Sequence, residues 1–245
     1  KATGIRPVGK ESMLFPELLE AITSKVPWNI ILNTFQVLLK GMVVTVEVAV
    51  GALFLGIVLG LVLGLGRVYG GSLVSKVIAI FVLILRALPP VLTIFILFYA
   101  VTSIINLPPL LAGILSLGLS SGAFQAEIFR GAILGVPDGQ MISARALGMT
   151  KGEAIRTIII PQAFRLAIPS WSNEAALVIK NSSLVYVLGI PDMMRQAQYA
   201  AARTAEPFLI FSLTALAYYL LILLANKGLS ALDQKFRIPT LELEL

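Results

Sequence analysis

Apolar residues in this chain gather in long blocks rather than alternating with polar ones. Residues 48–66, 87–126 and 207–226 hold no Asp, Glu, Lys or Arg. About 20 apolar residues span a bilayer as a helix. The blocks predict five helical spans, at about 35–66, 73–102, 110–134, 166–189 and 207–228. Pro89-Pro90 interrupts the second, Pro108-Pro109 ends the turn after it, and Gly189-Ile-Pro191 closes the fourth. The chain divides into an N-terminal periplasmic or interfacial tail (1–33), a transmembrane domain (34–235) and a C-terminal cytoplasmic tail (236–245). In the first tail Leu14, Leu18, Ile22 and Val26 fall at helical spacing, which predicts a helix lying on the membrane surface.

Composition fixes the class as an all-α membrane protein. The chain is 58% hydrophobic and 13% charged, with a mean hydropathy of +0.92, where an average soluble domain has roughly 25% charged residues. It has no cysteine and no histidine. That removes disulfides, thiol nucleophiles, most zinc sites and histidine-based catalysis. No signal-peptide pattern opens the chain, and it begins at a lysine, which leaves room for residues upstream. The net charge of +6 reads as a positive-inside bias rather than a nucleic-acid surface.

The charges orient the spans. The turn 67–76 carries Arg67 and Lys76, and the loop after span three carries Arg130, Arg145, Lys151, Arg156 and Arg165 against Asp138 and Glu153. The opposite turn, 103–109, is uncharged, and 190–206 has two basic and two acidic residues. Excess Lys and Arg mark the cytoplasmic side. This predicts the N-terminus outside, the C-terminus inside and the long loop in the cytoplasm.

Gly56, Gly60 and Gly64 recur every four residues, as do Gly118 and Gly122. Such spacing lets helix backbones approach closely in lipid, within one chain or across a subunit or gate contact. Lys40, Glu47, Arg86, Glu127, Glu174 and Lys180 fall inside predicted spans, where charge is costly and usually faces the bundle interior or water. Lys40 is expected to snorkel, with Glu47 on its face. Glu127 and Arg130 fit a helix-surface ion pair. Arg86 adjoins Leu88-Pro89-Pro90, where proline removes backbone bonds and a broken helix is tolerated if it lines a cavity. Lys180 reads as near the middle of span four, with Asn173 on its face and Asn181, Ser182 and Ser183 beside it. That setting suits a small carboxylate; a structural pair with Glu174 or Glu127 is the other reading. Ser116, Ser120, Ala123 and Glu127 share one helical face, either a pathway lining or serines bonded back to their own helix.

Residues 131–169 form a basic, amphiphilic segment between apolar blocks. Gly135-Val-Pro137-Asp-Gly139 ends span three. A short helix is predicted over 140–147, with Gly148 as its C-cap. A second runs from about 151 to 160 and is ended by Pro161. A projecting helix of this kind fits a groove on a partner, and a push on it reaches spans three and four; a plain surface connection is the alternative.

The centre of this loop, Gly139-Gln-Met-Ile142-Ser143-Ala144-Arg145-Ala-Leu147-Gly148, and its close, Ile158-Ile-Ile160-Pro161, resemble the loop by which permease subunits of bacterial and archaeal ABC importers dock on their ATPase. That loop usually reads Glu-Ala-Ala, a glycine, then Ile-x-Leu-Pro. Ile142 stands where the glutamate would be, so coupling is expected to rest on shape, through Ala144, Leu147 and Gly148. Arg86-Ala-Leu-Pro89 is similar to the Arg-Gly-Thr-Pro of polar amino acid permeases of the histidine, arginine and glutamine type. Ser121-Gly-Ala-Phe-Gln-Ala-Glu127-Ile-Phe-Arg130 and Asn173-Glu174 through Lys180-Asn-Ser182 resemble segments of the same subfamily. The resemblance covers roughly residues 35–235.

It implies a coupling loop at 135–165 that presents Gly139, Ala144, Arg145, Leu147, Gly148 and Pro161 to the ATPase. Arg86, Glu127, Asn173, Glu174, Lys180, Asn181 and Ser182 become candidate solute contacts. The implied partners are an ABC ATPase dimer holding ATP and Mg, a second permease copy, identical or not, and a solute-binding protein, separate or fused upstream. The implied place is the inner (plasma) membrane of a bacterium or archaeon, and the implied cycle is alternating access for polar, and by the carboxylates basic, amino acids. No cofactor or ATPase activity is expected in the chain itself, because its one Gly-Lys, Gly9-Lys10, is followed by Glu11 and makes no Walker A. Two alternatives stand beside this. An ion-coupled secondary transporter would use Glu47, Glu127 and Glu174 for protons, but no inverted repeat is visible. A non-transporting scaffold has no need of Arg86 and Lys180 at membrane depth.

Overall fold

The computed structural model describes residues 28–236, which are helical almost throughout and include no strand. The surface helix predicted from Leu14, Leu18, Ile22 and Val26 lies outside the described residues, as does 237–245. The helices are α1 (Trp28–Tyr69), α2 (Ser72–Ala87), α3 (Pro90–Thr102), α4 (Pro109–Leu134), α5 (Asp138–Ala146), α6 (Lys151–Ala154), α7 (Ile160–Asn181), α8 (Met193–Thr204) and α9 (Pro207–Phe236). Among the described residues three helices are, each alone, long and apolar enough to cross a membrane: α1, α4 and Pro207–Ala231 of α9.

The first helix is longer than the predicted span. Residues 28–33, read as tail, are its opening turns. Its 42 residues extend about 63 Å at 1.5 Å each, roughly twice a bilayer's hydrocarbon depth. Its small residues, Gly41, Ala49, Ala52, Gly56, Gly60 and Gly64, are buried, while Val43, Val50, Phe54, Val58 and Val62 are exposed. Burying the small face and exposing the bulky one is how helices pack in lipid. The buried face meets α4. A Cβ at Gly60 would lie 2.6 Å from that of Gln125, and one at Gly118 would lie 2.7 Å from Leu55 Cδ2. The glycine spacing therefore builds a seam inside one chain.

The second predicted span is two helices. α2 and α3 meet at a bend of 107°, sharper than a kinked span. Leu88 and Pro89 are both extended, at ψ 131° and 134°. Each precedes a proline, whose ring excludes the helical conformation from the residue before it, and two consecutive prolines remove two N–H donors.

Pro161 does not end a helix. α6 runs through a widened π-helical turn, Ile155–Ile159, into α7, with Pro161 in the first turn of α7. Proline is tolerated there because the π turn just before it widens the backbone and interrupts the regular hydrogen-bond ladder that its ring and missing N–H would otherwise break. The second loop helix and span four are thus one rod. That rod, α7, is not among the helices apolar enough to cross a membrane alone. Arg165, Asn173, Glu174 and Lys180 lower its hydropathy.

The ends of the molecule differ. Phe129, Ala132, Ile133, Val136, Ile159, Ala163 and Ala167 form a core at the end that carries α5, with Val68 and Tyr69 of α1 packed on it. At the other end Leu38, Met193, Ala197 and Ile210 join α1, α8 and α9. There Asp192 caps α8 by accepting from Arg195 N at 2.9 Å, and Met193 N donates to Thr45 Oγ1 at 3.1 Å.

Candidate functional site: an exposed helix joined to a charged cavity

The α5 helix is closed at its C-terminus by a complete backbone motif. Gly148, at φ +88°, donates to Arg145 O at 3.1 Å, and Met149 N reaches Ala144 O at 3.2 Å. This is the Schellman arrangement, and its positive φ suits glycine. Arg145 Nη1 adds a bond to Met149 O at 2.7 Å. Thr150 and Glu153 then form a capping box that opens α6. Hydrogen bonds from Thr150, first its backbone and then its side chain, hold the exposed Glu153 carboxyl below the usual carboxylate range. The result is a fixed turn, not a loose loop.

Ile142 and Leu147 are exposed at 68% and 85% on this helix, whereas Ala144 is buried at 4%. The expected docking role of Ala144 therefore changes: its small size lets α5 pack inward on Ile155–Ile159. Gly139, Arg145, Gly148 and Pro161 are exposed. The exposed large apolar residues of α5 and its turn are Ile142 and Leu147.

Between α2, α4 and α7 lies a cavity of about 650 Å³ whose walls include Arg86, Phe124, Glu127, Asn173, Glu174 and Leu177. A second space of about 370 Å³ shares Arg86, Phe124, Glu174 and Leu177 and adds Ser120, Ser121 and Asn181. The α2–α3 break lines it through Ala87–Pro90, as expected of an irregular backbone at membrane depth. Arg86 is in the last turn of α2 and lies over the Phe124 ring, 5.0 Å from its centroid. Among the described residues no carboxylate forms an ion pair with Arg86. Glu174 is buried and accepts from Ser121 Oγ at 2.7 Å.

Glu127 pairs with Arg130 at 2.9 Å, as the spacing predicts, and also with Arg67 at the end of α1. That second partner is sixty residues away in sequence and left no local signal. Five of the candidate solute residues thus line two spaces that share Arg86 and Glu174 as walls: Arg86, Glu127, Asn173, Glu174 and Asn181. Lys180 and Ser182 do not. Lys180 is in the last turn of α7, not mid-helix, and is exposed outside the cavity walls. Ser182 is buried and bonds back to Ile179 O at 2.7 Å. Of the polar stripe on α4, Ser120 and Glu127 line cavities, while Ser116 bonds back to Ala112 O at 2.7 Å. Lys40 and Glu47 are exposed on α1.

The sequence reading missed Gln125 and Trp171. Gln125 is fully buried. A buried amide four residues after Ser121, within a block free of charge, was the available signal.

Residues 56–238 match the family model described as a binding-protein-dependent transport system inner membrane component. The octopine transport system permease protein of Rhizobium meliloti is 37% identical over 199 residues, covering 76% of this chain and 83% of that protein. The glutamine transport system permease protein of Escherichia coli (strain K12) is 30% identical over 214 residues, covering 86% and 98%. A crystal structure of an amino acid ABC transporter with histidines superimposes with a TM-score of 0.76 at 28% identity, covering 86% of this chain and 99% of that one. The inward-facing MetNI methionine ABC transporter shares the fold, with a TM-score of 0.75 at 18% identity.

Proposed function

This chain belongs to the family of binding-protein-dependent transport system inner membrane components, the membrane permeases of ABC importers, and from that premise we propose that it carries polar amino acids into the cell by alternating access. One observation carries the coupling: the exposed helix α5 is joined without slack to α4 and, through the π turn, to α7. Those two helices supply Phe124, Glu127, Asn173 and Glu174 to the cavity. A displacement of α5 by an ATPase therefore moves two cavity walls. The family's ATPase is a separate subunit, so the chain supplies the path and the handle, and partners supply ATP hydrolysis and a captured solute.

In the path, Arg86 meets the carboxylate that every amino acid carries. A guanidinium at a cavity wall, stacked on an aromatic ring and without an ion-pair partner among the described residues, suits planar carboxylate recognition. A carboxylate in the same walls, Glu174, suits an ammonium. In this reading the chain crosses the inner membrane five times, through α1, the bent α2–α3 pair, α4, α7 and α9. The N-terminus lies outside and α5 inside, as the Lys and Arg excess indicates. A second permease copy, identical or different, covers the open side of the cavity, and a binding protein delivers solute from outside.

Reconstitution with the partner ATPase and binding protein in proteoliposomes tests this. Radiolabelled amino acid supplied outside with the binding protein is expected to accumulate only when ATP is enclosed in the vesicles, on the ATPase face. Uptake that persists without ATP and follows a proton gradient would overturn it.

A further inference from the structure

Resting on the cavity as an amino acid path, we propose that Trp171, Gln125 and Ser121 are positioning residues that fix Glu174 in the cavity wall and make it the selector of a positively charged side chain on the solute. Trp171 Nε1 donates to Gln125 Oε1 at 2.9 Å, Gln125 Nε2 donates to Ser121 Oγ at 3.0 Å, and Ser121 Oγ donates to Glu174 Oε1 at 2.7 Å. Gln125 Nε2 also faces Leu53 O at 3.5 Å.

The direction of this relay is set by chemistry. An indole N–H only donates and a backbone carbonyl only accepts. These two neighbours fix which end of the Gln125 amide is oxygen and which is nitrogen. Ser121 must then accept from Gln125, which leaves its own O–H for Glu174. The relay thus offers Glu174 a donor and no acceptor, an arrangement that suits a carboxylate. Ser121 is 3% exposed and Gln125 0%, so water does not compete. A buried polar chain of this kind is rigid when every member is satisfied.

The glycine seam serves the same relay. A Cβ on Gly56 would strike the Gln125 amide and lie 3.1 Å from Ser121 Oγ. Gly56 is the space in which Gln125 sits, so α1 positions the selector without touching the cavity. Glu174 is the relay's only member with a formal charge, and it lines both spaces with Arg86. A zwitterion with a cationic side chain matches this pair: its carboxylate to Arg86, its side-chain cation to Glu174.

The test is uptake by the full complex of permease, ATPase and binding protein in proteoliposomes, with arginine and citrulline as a charged and an uncharged probe of nearly equal shape. The binding protein is the same throughout, so changes in preference arise in the permease. Ser121→Ala is expected to lower the arginine-to-citrulline ratio about tenfold, the loss of one hydrogen bond to a charged group. Ser121→Thr keeps the hydroxyl and retains the ratio. Trp171→Phe keeps the ring, removes the N–H and lowers the ratio about threefold, which covers the case of a poorly folded Ser121→Ala. Equal losses for both probes would assign the relay a structural role and overturn the proposal. A wild-type complex that moves amino acids without favouring arginine would overturn the selector role alone. A wild-type complex that moves none would overturn the path itself.

Discussion

Arg86 lies in the cavity wall over Phe124; Lys180 is exposed in the final turn of α7 outside that wall. The sequence pointed to Lys180 for the solute carboxylate and to Arg86 only as a cavity-lining charge, and their surroundings reverse that order. A lost hydrogen bond to a charged group costs roughly 1.5–3 kcal/mol, so Arg86→Ala is expected to raise the solute concentration for half-maximal uptake by tenfold or more. Lys180→Ala should change it less than about twofold. A larger effect at Lys180 than at Arg86 in the same assay would contradict the assignment. Residue types were legible here before depth was. Periodicity placed Asn173, Glu174 and Lys180 on one helix, but where that helix ends depends on the tight turn Ser182–Leu188, which apolar spacing does not mark. The Arg67 partner of Glu127 was hidden for another reason: it is brought in by the α1–α4 packing, not by neighbours in sequence.

At the scale of elements, proline and glycine chemistry decides the outcome. Two consecutive prolines turned one expected span into a bent pair, whereas Pro161 left a continuous rod because a π turn directly precedes it. Gly148 is the position that fixes how α5 meets the rod, through its positive φ and its bond to Arg145 O. A side chain in this conformation costs roughly 1–2 kcal/mol. Gly148→Asp is expected to reduce ATP-driven uptake severalfold, with normal amounts of protein in the membrane. Gly148→Asn, which tolerates left-handed backbone better, should keep more activity. Equal activity of both variants and wild type would show that the turn does not govern coupling. The cap and the short helix could be read from Gly148 and the polar segment around it; the inward turn of Ala144 could not, because it depends on the π turn beneath.

Across the whole molecule, two helices join the apolar tip of α5 to the charged cavity. Ile142 and Leu147 are exposed on α5, α4 and α7 continue from it, and Arg86 and Glu174 are both walls of the space beside these helices. The class, the element order and the loop were legible because membrane burial writes long apolar blocks and marks their interruptions. The relay from Trp171 to Glu174 was not, since it draws on two helices at once. Coupling through α5 is tested most directly by Leu147→Glu, which places a charge on the 85% exposed apolar tip. The measurement is ATP-driven uptake and ATPase binding by the same reconstituted preparation. The account predicts membrane insertion and cavity binding intact, with ATPase association weakened and uptake lost. Full uptake with a charged tip would contradict it.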